Sequence, residues 1–346
     1  MTERKIRAIM YGVGAMGQLC VRLMVEKGVE VVGGVTRSSH AGEDLGEVCG
    51  VGRKLGVAVS SDPEEVLASG RADIALLSVA TYLDDMAEHI ERCVRHGVNV
   101  LTTAEELLCA WRTQPVLSAE IDMLAKEYGV TVVGSGYTDY FWGGEVTQLA
   151  GCCHRVDAVE GIGQFNIDDY GPQVAENNHV GESVSEFAAA FGGGDGPPAF
   201  FQAVADLICA DLGLTVTSVK ETIRPASEEV DVPCAVLGIT VKAGDVTGKV
   251  TEVDVETAQG TSLHLELRER LYREGETDLN RWVLRGYPDV VLENPSPATD
   301  VLTCATMVNR IPDVIDAPPG YLTVSELPKL RYRPLPLERY LRGGAA

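Results

Sequence analysis

The stretch Ile6-Arg-Ala-Ile-Met-Tyr11, followed by Gly12-Val-Gly14-Ala-Met-Gly17 and then a helical pattern, decides the fold. A short apolar run, a glycine turn and a helix is the order that a dinucleotide pyrophosphate requires. Gly12 permits the tight turn, Gly14 lets the backbone approach the phosphates, and Gly17 lets the helix pack closely on the strand. The helix start, with Ala15 and Met16, then offers N–H groups and a favourable dipole to an anion. A glycine turn alone is a weak signal, so the context around it carries the reading.

That context is alternation. Val29–Val35 is a second apolar strand, and Asp62-Pro63-Glu64-Glu65 reads as an N-cap, a proline and first-turn acids, with Gly70 closing the helix. Asp73–Val79 is a buried strand. Leu83, Met86, Ala87, Ile90, Cys93 and Val94 then recur at three- and four-residue spacing up to Gly97, an amphipathic helix. Val98–Leu101, a helix over Pro115–Tyr128 and a strand over Val130–Val133 complete the series. Such alternation means an α/β protein with a doubly wound parallel sheet and right-handed crossovers, the Rossmann architecture.

Beyond about residue 137 the character changes. A glycine- and proline-rich run spans Gly192–Pro198, and β-like alternation appears in Lys249–Thr257 and Thr261–Tyr272, joined at Gln259-Gly260 as a hairpin. We therefore expect residues 1–136 to form a dinucleotide-binding domain, completed by 298–346 through an apolar helix over Ala298–Val308. Residues 137–297 are expected to form an α+β substrate and dimerisation domain with a mainly antiparallel sheet.

Composition narrows the function. The 346 residues are 45% hydrophobic, enough for two cores, and no apolar run approaches a membrane span. The polar start Met-Thr-Glu-Arg-Lys leads straight into the first strand, so the expectation is a cytoplasmic protein without a leader. A formal charge of −22 argues against nucleic acid and acidic membrane surfaces as partners. Nine cysteines without CxxC pairs suggest reduced thiols. Cys152-Cys153-His154 is the one cluster, and neighbours on a strand point to opposite faces, so no metal is expected.

The second strand is followed by Thr36-Arg37-Ser38-Ser39-His40, where NAD-preferring folds usually carry an acid for the ribose hydroxyls. Arg37 can pair with a 2′-phosphate and the hydroxyls of Thr36 and Ser38 can donate to it. The cofactor expected is therefore NADP(H), with NAD(H) also accepted; a solvated loop arginine is the competing reading. Ala80 and Thr103, just past two later strands, are further cofactor contacts. Thr102-Thr103-Ala104-Glu105-Glu106-Leu107 stands where ligands gather at strand carboxyl ends. Two carboxylates there suit acid–base work or a cationic intermediate, and equally suit a helix start favoured by its dipole.

The runs GVGAMG, VLTTAEEL, EIDMLAKEYGVTVVGSG and DAPPGYLTVSELP resemble the 2,4-diaminopentanoate dehydrogenase family, close to its native NAD(P)H-dependent amine dehydrogenases. The resemblance covers most of the first half and the tail. It implies a Rossmann domain, a dihydrodipicolinate-reductase-like second domain and a homodimer. It also implies one catalytic glutamate, falling on Glu105 with Glu106 as the competing register. A pocket tryptophan falls on Trp142, and Phe165 and Tyr170 fall near other aromatic wall positions. The implied reaction is reductive amination of a ketone or aldehyde with ammonia through an iminium, or its reverse.

One departure matters. Diaminopentanoate-type members tend to carry Asn-Pro-Gly-Phe after the Gly-x-Gly turn, whereas this chain reads Gly134-Ser-Gly136-Tyr137-Thr-Asp-Tyr-Phe141-Trp142. Tyr137, Phe141 and Trp142 would line an aromatic pocket, unless they are simply packing. From Val156 to Val219 there is no Lys or Arg to meet a substrate carboxylate, although Arg224, Arg281 or Arg285 could serve. Diaminopentanoate oxidation and a non-catalytic NADP(H) sensor are the alternatives. His179 and Asn166 are weaker polar candidates.

Overall fold

A computed structural model describes residues 4–37, 39–69, 72–191 and 199–342. Ser38, Gly70 and the Gly192–Pro198 run lie outside the described residues. The chain divides into two units, Met1–Gly144 with Ala298–Ala346, and Glu145–Pro297.

In the first unit, strands β1 (Arg7–Tyr11), β2 (Glu30–Val35), β3 (Val59–Ser60), β4 (Ile74–Leu77), β5 (Asn99–Thr102) and β6 (Thr131–Gly134) join a last strand, Gly320–Leu322. The order is Gly320–Leu322, β6, β5, β4, β1, β2, β3, with every pairing parallel. That is the Rossmann order with one strand added beside β6. Register aligns Tyr11 with Val35 and Leu77, Leu77 with Thr102, and Thr102 with Gly134, so the carboxyl ends form one rim.

The helices follow from the spacing. Leu83–Arg95 buries Leu83, Met86, Ile90, Cys93 and Val94, and the chain turns at Gly97 with φ of 69°. Asp62 caps Pro63–Leu67 by accepting from Glu64 N and Glu65 N. Pro115–Tyr128 runs from its proline to a left-handed Gly129. The C-terminal helix is longer than the sequence suggested, Thr299–Ile315. It packs on helix Ala15–Glu26 and on β5. Beyond the apolar run, Arg310 and Asp313 are buried in ion pairs within the continuing helix. Residues 137–144, assigned by composition to the second domain, stay with the first because Asp139 is bonded to Arg310.

The second unit holds strands β7 (Arg155–Asn166), β8 (Val216–Ser227), β9 (Val232–Cys234), β10 (Ile239–Val241), β11 (Val246–Thr257), β12 (Ser262–Arg270), β13 (Leu279–Tyr287) and β14 (Val290–Pro295). Six of them form a sheet in the order β14, β13, β7, β12, β11, β8, antiparallel except between β7 and β12. The β11–β12 hairpin turns at Gly260, φ 87°. Helix Phe201–Asp211 covers β11 and β12, and Trp282 fills the space above Gly161, where a Cβ would stand 2.2 Å from the ring. Cys152 and Cys153 stand in a turn ahead of β7 rather than on a strand.

Candidate active site

The glycine turn is built as its chemistry requires. Gly12 has φ of 106°, and a Cβ there would meet Ser78 O at 2.2 Å; one on Gly17 would meet Gly12 O at 2.0 Å. Both glycines are demanded by packing. Gly14 differs: a Cβ there meets no described atom within 4 Å. Gly14 is the N-cap of helix Ala15–Glu26, it makes no side-chain cap bond, and the first turn holds no acid. Gly14 and Ala15 are exposed and Met16 is half-buried, so the free N–H groups face open space beside a positive helix end. Such a helix start could hold an anion.

At the end of β2, Thr36 is buried and its Oγ1 lies 3.1 Å from Ser39 Oγ, while Arg37 is exposed. Arg37 stands near a cluster the sequence did not reveal. The Tyr11 hydroxyl lies 2.8 Å from His89 Nδ1. Burial, then the charges of Arg92 and Arg37, hold the His89 imidazole below its ordinary range. Only pairing between β1 and helix Leu83–Arg95 brings those residues together, and no local spacing signals it.

The two glutamates part company. Thr102 Oγ1 accepts from Ala104 N at 3.1 Å, and Thr103 N donates to Leu77 O at 3.0 Å, tying the turn across the ends of β4 and β5. Glu105–Leu108 then forms a single 3₁₀ turn rather than the start of an α-helix. Glu106 is 1% exposed, and its Oε2 accepts from Leu83 N at 2.8 Å. It therefore caps the helix Leu83–Arg95, whose N-cap residue, Tyr82, gives no side-chain cap bond. Glu105 is only half-buried. Of the two, Glu105 is the carboxylate at the rim. Ala80, half-buried, follows β4 on the same rim.

Ser135 N donates to Thr102 O at 2.8 Å, and Gly134 approaches Leu107 so closely that a Cβ would lie 2.4 Å from its carbonyl carbon. The Glu105 turn thus packs against β6 and the next segment, Thr138–Gly144, a π-helix. Such widened turns cluster at functional sites. Tyr137 stacks on Phe141 with centroids 4.6 Å apart and meets Trp142 edge-on at 5.9 Å. Tyr137 and Trp142 are buried and Phe141 is half-buried. The structure brings these three rings together beside the Glu105 turn.

In the second unit, Phe165 and Tyr170 pack edge-on at 5.0 Å, with Tyr170 exposed. Asn166 caps a short 3₁₀ turn. His179, with φ of 57°, pairs with Glu182 and packs on Phe187 and Phe191, a structural setting. The arginines considered for a substrate carboxylate are already engaged. Arg224 pairs with Glu252 and Glu266, Arg281 with Glu293, and Arg285 with Glu160 and Asp289. Glu145, the first residue of this unit, was missed by the sequence reading. Burial pushes its carboxyl up to about 7.

A family model described as the 2,4-diaminopentanoate dehydrogenase C-terminal domain matches residues 144–332. The chain belongs to the 2,4-diaminopentanoate dehydrogenase family. This family member is 28% identical over 336 residues to the 2,4-diaminopentanoate dehydrogenase of Acetoanaerobium sticklandii, covering 94% of each chain. The solved amine dehydrogenase from Mycobacterium smegmatis superposes with a TM-score of 0.91 at 45% identity, covering 96% of this chain and 98% of that one. A probable dehydrogenase from Thermotoga maritima shares the fold alone, with a TM-score of 0.61 at 12% identity over 93% of this chain and 92% of that one. The diaminopentanoate dehydrogenase family member is accordingly an oxidoreductase, which sets aside the non-catalytic sensor. No helix among its described residues is long and apolar enough to cross a membrane.

Proposed function

We propose that the protein is a nicotinamide-dependent amine dehydrogenase, interconverting a ketone or aldehyde plus ammonia with an amine. The names of its relatives support action on CH–NH2 donors. The observation that carries the reading is a half-buried carboxylate, Glu105, packed beside an aromatic segment at the carboxyl ends of β4, β5 and β6.

The cofactor fits this chain. Open space over Gly14, the uncapped helix start and the close packing of Gly12 and Gly17 suit a pyrophosphate held by backbone N–H groups from Gly14 to Gly17. Thr36 and Arg37 suit the adenosine ribose, with Arg37 favouring a 2′-phosphate and hence NADP(H) over NAD(H). Ala80 and Thr103 would flank the site further along the rim. When bound, the reduced nicotinamide supplies the hydride that makes the iminium carbon an amine carbon.

The chain's own residues do the rest. Glu105 takes a proton from ammonium as the amine adds to the carbonyl and returns it to the carbinolamine hydroxyl, which leaves as water; the carboxylate so regenerated stabilises the iminium cation by its charge. In the amine-to-carbonyl direction it takes the proton from the ammonium form of the substrate. Tyr137, Phe141 and Trp142 offer an apolar wall that keeps water from the cation. Diamino acid oxidation is the second reading, favoured by the Acetoanaerobium relative. The engagement of Arg224, Arg281 and Arg285 with carboxylates weighs against it. A cytoplasmic homodimer completes the proposal. Consumption of NADPH across a panel of aldehydes and ketones, with and without ammonium, tests it. Turnover that needs ammonium supports the reading, and turnover without it refutes it.

A further inference from the structure

The aromatic segment is held from behind. Asp139, 1% exposed, lies within the π-helix that carries Phe141 and Trp142. Arg310, 3% exposed on helix Thr299–Ile315, grips it with Nε to Oδ2 at 2.7 Å and Nη2 to Oδ1 at 2.8 Å. Ser135 Oγ, in the Gly-Ser-Gly turn, donates to the same Oδ2 at 2.8 Å. Arg310 is fixed in turn, donating to Pro328 O and lying 3.8 Å from Asp313, which pairs with Arg333 at 2.6 Å.

The helix bearing Arg310 touches the other half of the site as well. Cys304 Sγ donates to Met16 O at 3.4 Å, and Thr303 Cγ2 would lie 3.1 Å from a Cβ on Gly136. One rigid helix therefore backs both the glycine turn and the aromatic segment. A buried ion pair is weak evidence for stability, and its best-attested use is to specify one arrangement among several. A π-turn is an arrangement that needs such specification, because an α-helical register of the same residues would rotate the rings away. A bidentate guanidinium–carboxylate fork supplies direction as well as attraction.

We propose that the Arg310–Asp139 pair is a positioning device that sets the π-helical register of Thr138–Gly144, and through it the size of substrate the aromatic wall accepts. The inference rests on the amine dehydrogenase reading for its substrate, but not for its structural readout. The informative variant is Asp139→Glu, which keeps both charges and lengthens the tether by one methylene. Protein carrying 5-fluorotryptophan reports on the wall directly by fluorine NMR, with Trp142 assigned through Trp142→Phe.

In Asp139→Glu the Trp142 resonance moves, while those of Trp111, stacked on Tyr321, and Trp282, over Gly161, stay in place. KM for long straight-chain aldehydes with ammonium changes about tenfold relative to short ones, as for a methylene-scale change in an apolar pocket. NADPH affinity holds. Ser135→Ala, which removes only a hydroxyl from the pair, gives the same pattern more weakly and serves if Asp139→Glu does not fold. A lowered melting temperature with an unmoved Trp142 resonance and an unchanged chain-length profile overturns the proposal, leaving the pair merely structural. If wild-type protein turns over no aldehyde with ammonium, the functional reading fails, and the fluorine spectrum alone decides the positioning role.

Discussion

Removing the Glu106 carboxylate should cost stability and leave chemistry alone. Its Oε2 takes the Leu83 N–H at 2.8 Å in a site where Glu106 is 1% and Leu83 0% exposed. Glu106→Ala strands that N–H without water, forfeiting a charge-assisted bond worth about 1.5–3 kcal/mol. It also removes a negative charge from a helix start, worth about 0.3–1 kcal/mol. The sum is about 3 kcal/mol, and at about 2–4 °C per kcal/mol for a unit of this size the first unit should melt about 6–12 °C lower. Glu106→Gln keeps an acceptor and loses the charge, so its loss should be about 1 kcal/mol. Differential scanning calorimetry gives the melting shifts, and initial rates on protein held well below the transition give kcat. A Glu106→Ala protein with wild-type melting and lost turnover would refute the cap and move the catalytic register by one residue.

Three further outcomes are expected. Arg37→Ala should weaken NADPH by roughly the 1.5–3 kcal/mol of a charged hydrogen bond and leave NADH nearly unchanged, read by fluorescence titration. Gly14→Ala should fold normally and lose cofactor affinity, whereas Gly17→Ala, forced to within 2.0 Å of Gly12 O, should lose stability; circular dichroism melts beside NADPH titration separate them. Glu145 keeps its proton up to about pH 7 when folded. In the unfolded chain that proton is lost near pH 4.3, so stability falls as pH rises between those values, by about 4 kcal/mol at most. Glu145→Gln should therefore melt above wild type at pH 8 and match it near pH 4, as denaturant curves at both pH values would show.

Much of this was readable because it is local. Gly12–Gly17, the spacing from Leu83 to Val94, the Asp62-Pro63 start and the Gln259-Gly260 turn each declare themselves within a dozen residues, and the parallel sheet follows from alternation. The contributions that escaped are long-range. Glu106 and Leu83 are far apart in sequence, and nothing in Thr102–Leu107 marks one glutamate as another helix's cap. Strands β7, β13 and β14 are half-buried in a mixed sheet, so their alternation is interrupted by paired charges such as Glu160–Arg285. Asp139 carried a signal that could have been used: an acid amid Tyr137, Tyr140, Phe141 and Trp142 is either exposed or paired, and an arginine in the C-terminal apolar helix is its natural counterpart.

In the proposed mechanism Glu105 carries the proton chemistry of amine–carbonyl interconversion. Glu105→Gln keeps the size and removes both charge and base. Steady-state kcat for carbonyl plus ammonium with NADPH should fall on the order of 10²–10⁴-fold. NADPH affinity should be unchanged, because the proposed phosphate site is Gly12–Gly17 rather than the Glu105 turn. Retention of wild-type kcat in Glu105→Gln, with ammonium-dependent turnover intact, would rule out that role for Glu105.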